Sequence, residues 1–582
     1  MWRTWCWTLW SHPAISLPSS NVARRLTEQA RRLPQHTGVV EPSLMPSGGI
    51  AFGKITTGSR HAWRSITLAE LDRYSDQLAA GLLVRGATPG MRIALLVRPG
   101  IDFVALVFAL LKVRTVAMLI DPGMGRRNLV RCLAAAKPEG FIAIPAAQAV
   151  RCLFPWRFRK TKLLITLGRR WLWGGITLDE LKALGEQRIG DGYRLEGNTQ
   201  SDDPAAIIFT TGSTGPPKGV LYEHGNFDHQ VTEIRDRFGL QPGGVDVAGF
   251  PLFGLFNAAM GIATVFPRMD FTRPAQVDPR NFVSAAVDWK ATQSFGSPAL
   301  WNSVGRYCRT NRVRLDTLRQ VFSAGAPVSA RVLELVRDAI HPEGEVHTPY
   351  GATEALPVAT ISASMVFSET QARTAQGSGV CVGHRFPGIH WRVIRISDEP
   401  VAMLDNAELL PAGEIGELIV SGPVVTRQYV TRLESNALAK IADGDRTWHR
   451  MGDVGWLDPQ GRFWFCGRMA HRVQVAEGTL YSVPCEAIFN THPRVFRTAL
   501  VGIGPAGSQR PVIVVEPQPG EMPRRAASRK QFVDELLTLA ANHAMTRNIK
   551  DFLLHPGLPV DIRHNAKIFR EKLVPWVAKR LK

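Results

Sequence analysis

Cysteine is scarce in this chain, and no two cysteines are close enough to form a recognisable motif. The seven cysteines include no C-x-x-C pair and have no histidine cluster beside them: Cys6, Cys132, Cys152, Cys308, Cys381, Cys466 and Cys485. This scatter argues against a zinc site and against a disulfide framework. We therefore expect a protein of the reducing cytosol, with a cytoplasmic location.

The chain also lacks a long apolar run. Its best candidate, Phe103 to Ile120, is interrupted by Lys112 and Arg114, and a membrane-spanning helix needs ~20 mainly apolar residues. The first ten residues hold four tryptophans but no leucine-rich core or A-x-A site, so they make a poor signal peptide. Tryptophan favours membrane interfaces, so residues 1–20 are an interfacial segment, a dispensable extension or the product of a misplaced start codon.

Acidic residues are outnumbered: 50 Asp and Glu stand against 70 Lys and Arg, a formal charge of +20. A basic surface attracts nucleic-acid backbones without regard to sequence. The basic residues are nevertheless spread along the chain, with short clusters only at Arg157–Lys162 and Arg524–Lys530. This spread favours a solvated surface and predicts no specific nucleic acid, while an anionic membrane, contacted peripherally, or an acidic partner remains an alternative.

Length and hydrophobic patterning predict an α/β protein of two or more domains. A chain of 582 residues that is 45% hydrophobic exceeds one ordinary domain. Thr67 and Glu70 have capping-box spacing before a helical repeat that Gly86 ends. The segments Arg92–Val97, Asp102–Lys112 and Val116–Asp121 then read as strand, helix and strand, a βαβ unit with parallel pairing.

Similar short apolar runs recur along the chain, at Gly140–Ile144, Leu163–Leu167, Ala206–Phe209 and Gln320–Phe322. They predict a large domain with mainly parallel sheets that ends near residue 467; its start at residue 21 is implied by the resemblance described below. From Gly467 onward the elements are shorter, with strands in ALVGIG and PVIVVEP and a helix at Lys530–Ala544. We therefore expect a small α+β domain over residues 468–582.

A phosphate-binding loop is indicated by TTGSTGPPKG, residues 210–219, after the apolar run AIIF. Glycines allow successive N–H groups to converge on an anion, and hydroxyls and Lys218 supply further contacts. The stretch fails the G-x-x-x-x-G-K-[ST] pattern of the P-loop, because Pro217 precedes the lysine and Gly219 follows it. A flexible surface loop is the alternative interpretation.

Five later motifs strengthen the phosphate interpretation when they are taken together. They are SAGAP at Ser323–Pro327, YGATE at Tyr350–Glu354, RMGDVGWLD around Asp453, and Gly467 with Arg468 in FCGRMAHR, followed by Lys567 in RHNAKIFR. In this order they resemble the adenylate-forming superfamily of acyl-CoA synthetases, luciferases and nonribosomal peptide adenylation domains. The resemblance covers the chain from about residue 21 and implies a mobile C-terminal domain.

The resemblance implies an ATP site with magnesium. Glu354, with Thr211, matches the position of the metal-binding residues; Asp453 matches the ribose-binding aspartate, Arg468 the arginine after the hinge, and Lys567 the catalytic lysine. The resemblance places the remaining candidates on the phosphates or the adenine: Thr210, Gly212, Ser213, Thr214, Lys218, Ala324, Gly325, Ala326, Tyr350, Gly351 and Thr353.

The implied chemistry needs these residue types. A carboxylate attacks an anionic triphosphate poorly, so magnesium and Lys567 must neutralise the charge that develops at the α-phosphate. Lys567 has an alternative as a solvated charge near the C-terminus. His224, in YEHGNF, matches a family histidine near the ATP site, but a loop histidine bound to the backbone is an equal alternative.

Departures from the common pattern narrow the resemblance. The lysine motif reads PVDIRHNAKIFR, Gly254 replaces the histidine of P-L-F-H, and Ala470 occupies the usual charged hinge position. With VRPGIDFVALVFALLKVRTVAMLIDPG and TPYGATEALPVA, these features resemble the olefin β-lactone synthetases of bacterial hydrocarbon biosynthesis. The resemblance implies ATP-dependent activation of a 2-alkyl-3-hydroxy fatty acid, followed by attack of its own hydroxyl to give a β-lactone and AMP.

Two other functions remain as alternatives. A long-chain acyl-CoA synthetase would need a CoA channel and the second conformation of the hinge. A non-catalytic basic binding protein would be expected to lack one of Glu354, Asp453 or Lys567, and all three are present. For the lactone synthetase, the expected partners are the β-hydroxy fatty acid substrate and other enzymes of the hydrocarbon pathway.

Overall fold

A computed structural model describes residues 20–43, 54–58, 60–191, 198–210, 217–561 and 568–581. The strands up to residue 468 are, in chain order, β1 (Thr37–Pro42), β2 (Lys54–Thr57), β3 (Ala62–Thr67), β4 (Arg92–Leu96), β5 (Val116–Leu119), β6 (Gly140–Ala143), β7 (Leu163–Thr166), β8 (Ile176–Thr177), β9 (Pro204–Phe209), β10 (Gly219–Glu223), β11 (Val245–Ala248), β12 (Ala263–Val265), β13 (Gln293–Gly296), β14 (Gln320–Ser323), β15 (Glu345–Ala352), β16 (Ala355–Ser362), β17 (Val380–Cys381), β18 (His384–Arg385), β19 (His390–Ile394), β20 (Gly416–Ser421), β21 (Lys440–Asp443), β22 (Arg446–Leu457) and β23 (Phe463–Arg468).

The α-helices of the same part are α1 (Ala23–Arg32), α2 (Leu68–Val84), α3 (Ile101–Lys112), α4 (Arg126–Ala136), α5 (Pro145–Leu153), α6 (Leu178–Gly190), α7 (His224–Phe238), α8 (Pro251–Gly254), α9 (Pro279–Asp288), α10 (Pro298–Asn311), α11 (Ala330–Ala339), α12 (Ala363–Met365), α13 (Gln371–Ala375) and α14 (Ser435–Ala439). Thr67 caps α2 with the predicted capping box, since its side chain accepts from the Glu70 amide while the Glu70 carboxylate accepts from the Thr67 amide. That helix start is therefore confirmed.

Two sheets carry the predicted parallel pairing. One has the strand order β18-β16-β15-β14-β13-β11-β12-β1-β3-β2, and the other β10-β9-β5-β4-β6-β7-β8. The predicted βαβ unit is confirmed, because β4 and β5 pair in parallel, with Arg92 opposite Val116. In the first sheet β11, β13 and β14 are also parallel neighbours, so their carboxyl ends lie at one edge, where ligands of such sheets bind.

The third sheet of this part was not predicted. It has the order β17-β23-β22-β20-β19, with β21 beside β22, and all its neighbouring strands are antiparallel. Its central strands mix apolar residues with Arg450 and Asp453, both buried, so they do not show the continuous apolar runs of the parallel strands. That sheet brings Asp453 and Arg468 opposite each other.

The most apolar run of the chain is a core helix. In α3, ten of the twelve residues are buried, and a helix that is apolar on all sides belongs in a core or a membrane. Its terminal Lys112 donates to Asp72 and Asp76, each at 2.6 Å. Across the described ranges, the structure contains no helix with the length and hydrophobicity to cross a bilayer.

After Arg468 the elements are no shorter than those before it, which corrects the expectation, because they include a helix of 16 residues and strands of nine and eight residues. They are β24 (Val473–Val475), β25 (Gly478–Leu480), β26 (Val495–Ile503), β27 (Arg510–Pro517), β28 (Asp551–Leu554), α15 (Ser482–Phe489), α16 (Ala526–Ala541) and α17 (Arg570–Ala578). The helix expected at 530–544 is α16, which begins four residues earlier. Two apolar clusters drawn only from residues after 472 pack around these elements, while the division at residues 467 and 468 and its mobility stay predictions.

Candidate active site

A cavity of about 2710 Å³ lies at the carboxyl ends of the parallel strands. Its lining contains most of the described candidates: Thr210, Lys218, Ala324, Gly325, Ala326, Tyr350, Gly351, Thr353, Glu354, Asp453 and Arg468. These residues come from loops and strand ends that are far apart in sequence. The fold therefore brings motifs that are separate along the chain together on the wall of one cavity.

The hairpin of β9 and β10 brings Thr210 and Lys218, the two described ends of the phosphate-loop segment, to this cavity. Phe209 pairs with Gly219 across the hairpin. The Thr210 amide donates to the Lys218 carbonyl at 2.9 Å, and the Lys218 amide donates to the Thr210 hydroxyl at 3.1 Å. Both ends of the loop are thus fixed, while the candidates Thr211, Gly212, Ser213 and Thr214 lie outside the described residues and stay predictions.

Tyr429 connects the metal-binding candidate to two lysines. Its hydroxyl donates to Glu354 Oε1 at 2.6 Å. Lys218 Nζ lies 4.6 Å and Lys440 Nζ 5.8 Å from the centroid of the Tyr429 ring, within the range of cation–π attraction. Burial lowers the pKa of Lys440 to about 7, and burial also lowers the pKa of Lys218. Sequence analysis missed Tyr429 and Lys440, because neither falls in a recognised motif.

Asp453 is held from two sides. The Tyr350 hydroxyl donates to Asp453 Oδ2 at 2.5 Å, and Arg468 Nη1 donates to Asp453 Oδ1 at 2.7 Å. The left-handed backbone of Gly452, with φ of 63°, makes the turn before the aspartate. The adjacent Asp453 charge raises the pKa of Arg468, and burial raises the pKa of Tyr350. The structure therefore joins three predicted nucleotide-site residues in one hydrogen-bonded group.

The SAGAP loop follows β14 and exposes small side chains to the cavity. Gly325 has φ of 96°, a conformation that favours glycine. Within the described residues, the buried Ser323 hydroxyl has no hydrogen-bond partner, and Ser323 lines the cavity. A β-carbon at Gly351 would lie 2.7 Å from the Ala355 carbonyl oxygen. Small residues at these positions leave room for a flat ring.

His224 is buried in the core, and the structure bears on only one of the two alternatives considered for it. It is the first residue of α7, is fully buried and is not among the residues that line the cavity. In the part of the chain that the structure describes, neither ring nitrogen has a hydrogen-bond partner. Burial lowers the pKa of His224 to about 4. A neutral core histidine fits this environment, so backbone binding is not observed for its ring and a role at the nucleotide stays a prediction.

Away from these polar groups the cavity is lined mainly by aromatic and aliphatic side chains, among them Phe227, Phe238, Phe250, Phe253, Phe256, Phe266, Phe271 and Phe295. The rings of Phe253 and Phe295 stack at 3.8 Å between centroids. A β-carbon at Gly254 would lie 2.9 Å from Ala248 Cβ and 3.0 Å from Thr264 Cγ2. The close packing of α8 on β11 and β12 therefore leaves no room for a histidine at position 254.

A buried polar group lies beneath this aromatic region. Asp246, on β11, accepts a hydrogen bond of 2.7 Å from the Asn257 amide, which also contacts Thr264 at 3.2 Å. Gln293 faces Asp246 on the neighbouring strand, and Asp246, Asn257 and Gln293 all line the cavity. Burial raises the pKa of the Asp246 carboxyl to about 7. Sequence analysis missed this group because a lone acidic residue in an apolar strand gives no motif.

The polar residues of the cavity are of the types that bind a nucleotide together with Mg²⁺. Glu354 offers a carboxylate beside Lys218, and Mg²⁺ is usually held by one or two carboxylates and the substrate phosphates. Over the described ranges, no group of three or more His, Cys, Asp or Glu forms a separate metal cage. Lys567 lies outside the described residues, but Ile568 and Arg570, which follow it closely, line the cavity.

Comparison of the sequence with known proteins shows the family of this chain. The family model described as AMP-binding enzyme matches residues 26–430. The chain is 43% identical over 565 residues to an olefin beta-lactone synthetase of Xanthomonas campestris pv. campestris, an alignment that covers 96% of this chain and 98% of the relative. An olefin beta-lactone synthetase of Stenotrophomonas maltophilia is also 43% identical, with the same two coverages.

Structure comparison supports the fold. The amide bond synthetase McbA from Marinactinospora thermotolerans matches with a TM-score of 0.75 at 21% identity and covers 96% of this chain and 100% of its own. The anthranilate CoA ligase AuaEII, solved in complex with anthranoyl-AMP, matches with a TM-score of 0.75 at 18% identity, over 97% and 98% of the two chains. The predicted adenylate-forming fold is therefore confirmed.

Proposed function

Because the chain belongs to the AMP-binding enzyme family, we propose that it activates a 2-alkyl-3-hydroxy fatty acid with ATP and converts the resulting acyl-adenylate into a β-lactone. The observation that carries this proposal is the 43% identity, over nearly the full length of both chains, to two proteins named olefin beta-lactone synthetase. The cavity supports it, since polar groups for a nucleotide and an aromatic region for alkyl chains line the same space.

The first step joins the acid to AMP. A substrate carboxylate oxygen bonds to the α-phosphorus as the bond to the bridging oxygen breaks and pyrophosphate leaves. Thr210 and Lys218 would hold the phosphates, Asp453 the ribose and the SAGAP loop the adenine, with Tyr350 fixing Asp453. Bound magnesium, held by Glu354 and Thr211, would withdraw charge from the phosphate oxygens, and Lys567 would donate to the oxygen on which charge develops.

The second step closes the ring. The substrate's β-hydroxyl oxygen bonds to the acyl carbon, the bond from that carbon to the phosphate oxygen breaks, and AMP leaves with the electron pair while the hydroxyl proton is released. Acid and ATP thus give β-lactone, AMP and pyrophosphate. An intramolecular nucleophile has a large effective concentration, which offsets part of the ring strain. Enclosure of the adenylate by aromatic side chains would keep water from hydrolysing it.

Product analysis tests the proposal. Purified enzyme with ATP, magnesium and a 2-alkyl-3-hydroxy acid should release AMP without CoA and give a β-lactone that loses carbon dioxide on heating to form an alkene. The matched acid without the hydroxyl should give adenylate but no lactone. An acyl-CoA product from the hydroxy acid, or repeated turnover only when CoA is present, would instead support a long-chain acyl-CoA synthetase.

The same proposal has two consequences for the cell. The substrate must come from an enzyme that reduces a 2-alkyl-3-oxo acid to the 3-hydroxy acid, and the strained lactone must pass to an enzyme that removes carbon dioxide. Other hydrocarbon-pathway enzymes are therefore the proposed partners. The scattered reduced cysteines and the ATP requirement support a cytoplasmic location. Both statements are tested by localising the tagged protein and its co-purifying enzymes.

A further inference from the structure

One stretch of the surface combines exposed apolar side chains with a cluster of basic residues, of which Arg170 pairs with Glu180 just beyond the stretch. Residues 140–178 contain seven Arg and Lys residues and no Asp or Glu. Within this stretch Leu172 is fully exposed, and Leu153, Trp171 and Trp156 are 68%, 62% and 58% exposed. We call this surface the basic-aromatic patch and define it as Leu153, Trp156, Arg157, Arg159, Lys160, Arg169, Arg170, Trp171 and Leu172.

The patch is formed by two neighbouring segments. One follows α5, and the other is the loop from β7 to β8. Arg151 Nη2, at the end of α5, donates to the Trp173 carbonyl at 3.1 Å and so joins the segments. Trp171 stacks on Trp173 at 6.1 Å with an interplanar angle of 8°, and the Arg169 guanidinium lies 5.7 Å from the Trp171 ring. Trp171 and Leu172 are therefore presented by an ordered loop tip.

The chemistry of the patch selects a lipid surface among anionic partners. Exposed tryptophan and leucine side chains gain free energy by entering the interface of a bilayer, where tryptophan is enriched. Lysine and arginine beside them are attracted to anionic headgroups. An exposed leucine gains nothing at a nucleic-acid backbone, which is bound through charge and hydrogen bonds. The exposed apolar side chains and the basic residues beside them are therefore together suited to the surface of an anionic membrane.

The cavity reaches the protein surface beside this patch. Its lining includes Val150, Arg151 and Phe158 from the first segment, and Leu167 and Gly168 from the loop. Gly168 is solvent-exposed, so the cavity wall continues to the outside there. This end of the cavity is apolar further in, where Leu129, Val130, Leu133 and Phe141 line it.

We infer that the basic-aromatic patch docks the enzyme on an anionic membrane, so that a long-chain acid enters the cavity from the lipid beside Gly168. The entry route rests on the proposed function, whereas the docking itself does not. A fatty acid with two long alkyl chains is concentrated in bilayers, so transfer from lipid avoids a passage through water. The +20 charge of the chain adds long-range attraction to the same surface.

Vesicle flotation tests the docking without any substrate. Wild-type protein should float with phosphatidylcholine vesicles that contain phosphatidylglycerol, bind pure phosphatidylcholine more weakly, and lose binding as salt is raised. Trp171→Ala with Leu172→Ala, and separately Arg159→Glu with Lys160→Glu, should each weaken binding by about tenfold or more. The matched controls alter exposed residues elsewhere: Met403→Ala with Leu409→Ala should bind as wild type does, and Arg529→Glu with Lys530→Glu should weaken binding far less than the charge reversal in the patch.

Activity measurements test the entry route. The patch variants should keep wild-type rates with a short, water-soluble β-hydroxy acid but turn over a long-chain acid in phosphatidylglycerol vesicles several-fold more slowly. Unchanged flotation of both patch variants, or no flotation of wild type, would overturn the docking. DNA binding that the patch variants lose, without vesicle binding, would assign the patch to nucleic acid. If the wild-type enzyme turned over no acid at all, the proposed function would be refuted. The flotation result would still decide the docking.

Discussion

At the end of the cavity proposed to bind the nucleotide, here the nucleotide end, charged side chains are held by partners far away in sequence, as Asp453 is by Tyr350 and Glu354 by Tyr429. At the end proposed to bind the alkyl chains, here the acyl end, the lining is aromatic, and the carboxyl of Asp246 is buried against an amide. The hydrogen bonds at the nucleotide end hold each charge at a defined position. The aromatic lining of the acyl end excludes water but does not select one particular ligand. The nucleotide end should therefore tolerate little change, and the acyl end should tolerate more.

The largest effect is expected from Lys567→Ala. Loss of one preorganised donor at the α-phosphate typically costs ~3 kcal/mol, so adenylate formation should slow by roughly a hundredfold while the fold is retained. ATP-dependent pyrophosphate release measures this. Lys579→Ala, an exposed lysine that follows α17, is the matched control and should be neutral. Equal rates for Lys567→Ala and wild type would remove Lys567 from the mechanism.

Glu354→Gln should come next. A neutral amide is a weaker ligand for a hard cation than a carboxylate, so the magnesium concentration needed for half-maximal rate should rise by roughly tenfold or more. Glu434→Gln, an exposed neighbour of the same chemistry, should leave the magnesium titration unchanged. A superimposable titration for Glu354→Gln would place the metal elsewhere and weaken the contrast between the two ends.

At the acyl end, Phe253→Ala should have a smaller and more selective effect. Loss of the stacked ring opposite Phe295 removes an apolar contact worth ~1–2 kcal/mol, so KM for a long-chain acid should rise about tenfold with little change in KM for ATP. Tyr307→Ala, an aromatic residue on α10 that does not line the cavity, is the control. A parallel rise in KM for ATP would mean that the two ends are coupled.

A fourth effect concerns stability and leaves the rates aside. The folded pKa of Asp246 is raised from 3.8 to about 7 by burial, so the folded state favours the protonated acid. The free energy of unfolding should fall as pH rises from about 4 to 7 and should then stay constant. The total decrease should be at most ~4 kcal/mol. Asp246→Asn should remove this decline and raise Tm at pH 8 relative to wild type. Asp316→Asn, at an exposed site, should retain it, and a wild-type Tm independent of pH would contradict the assignment.

The same contrast explains how much of the site the sequence could predict. Residues at the nucleotide end sit in short motifs, so YGATE, taken with the other motifs, is enough to single out Tyr350 and Glu354. Tyr429 and Lys440 support those residues from elements without a motif, and only the fold brings them within reach of Glu354. Asp246 was missed for a related reason, since its environment depends on pairing of β11 with β13, a long-range contact that local patterns do not encode.

The fold could be predicted where local sequence patterns encode it and was missed where long-range contacts decide it. The parallel strands are short apolar runs with helices between them, so the βαβ unit from Arg92 to Asp121 could be predicted from local patterns. The antiparallel sheet around Asp453 was missed because its strands mix buried charges with apolar residues. Those charges are tolerated in the fold only because partners such as Glu417, which accepts from Arg450, come from other strands.

The glycine at position 254 also acquires a physical explanation. In the sequence, loss of the P-L-F-H histidine is only a departure from the common pattern. In the fold, Ala248 and Thr264 approach so closely that even a β-carbon would be crowded. Packing of the strands below the acyl end therefore accounts for this residue independently of the reaction.

The many phenylalanine rings of the acyl end have a thermodynamic consequence. Alkyl chains that bind against them leave water together with the rings, and removal of apolar surface from water gives a negative heat-capacity change. Calorimetric enthalpies of acid binding should therefore become more exothermic with temperature, by an increment that grows with each methylene group added. Nucleotide binding at the opposite end, dominated by charged contacts, should show a much weaker temperature dependence.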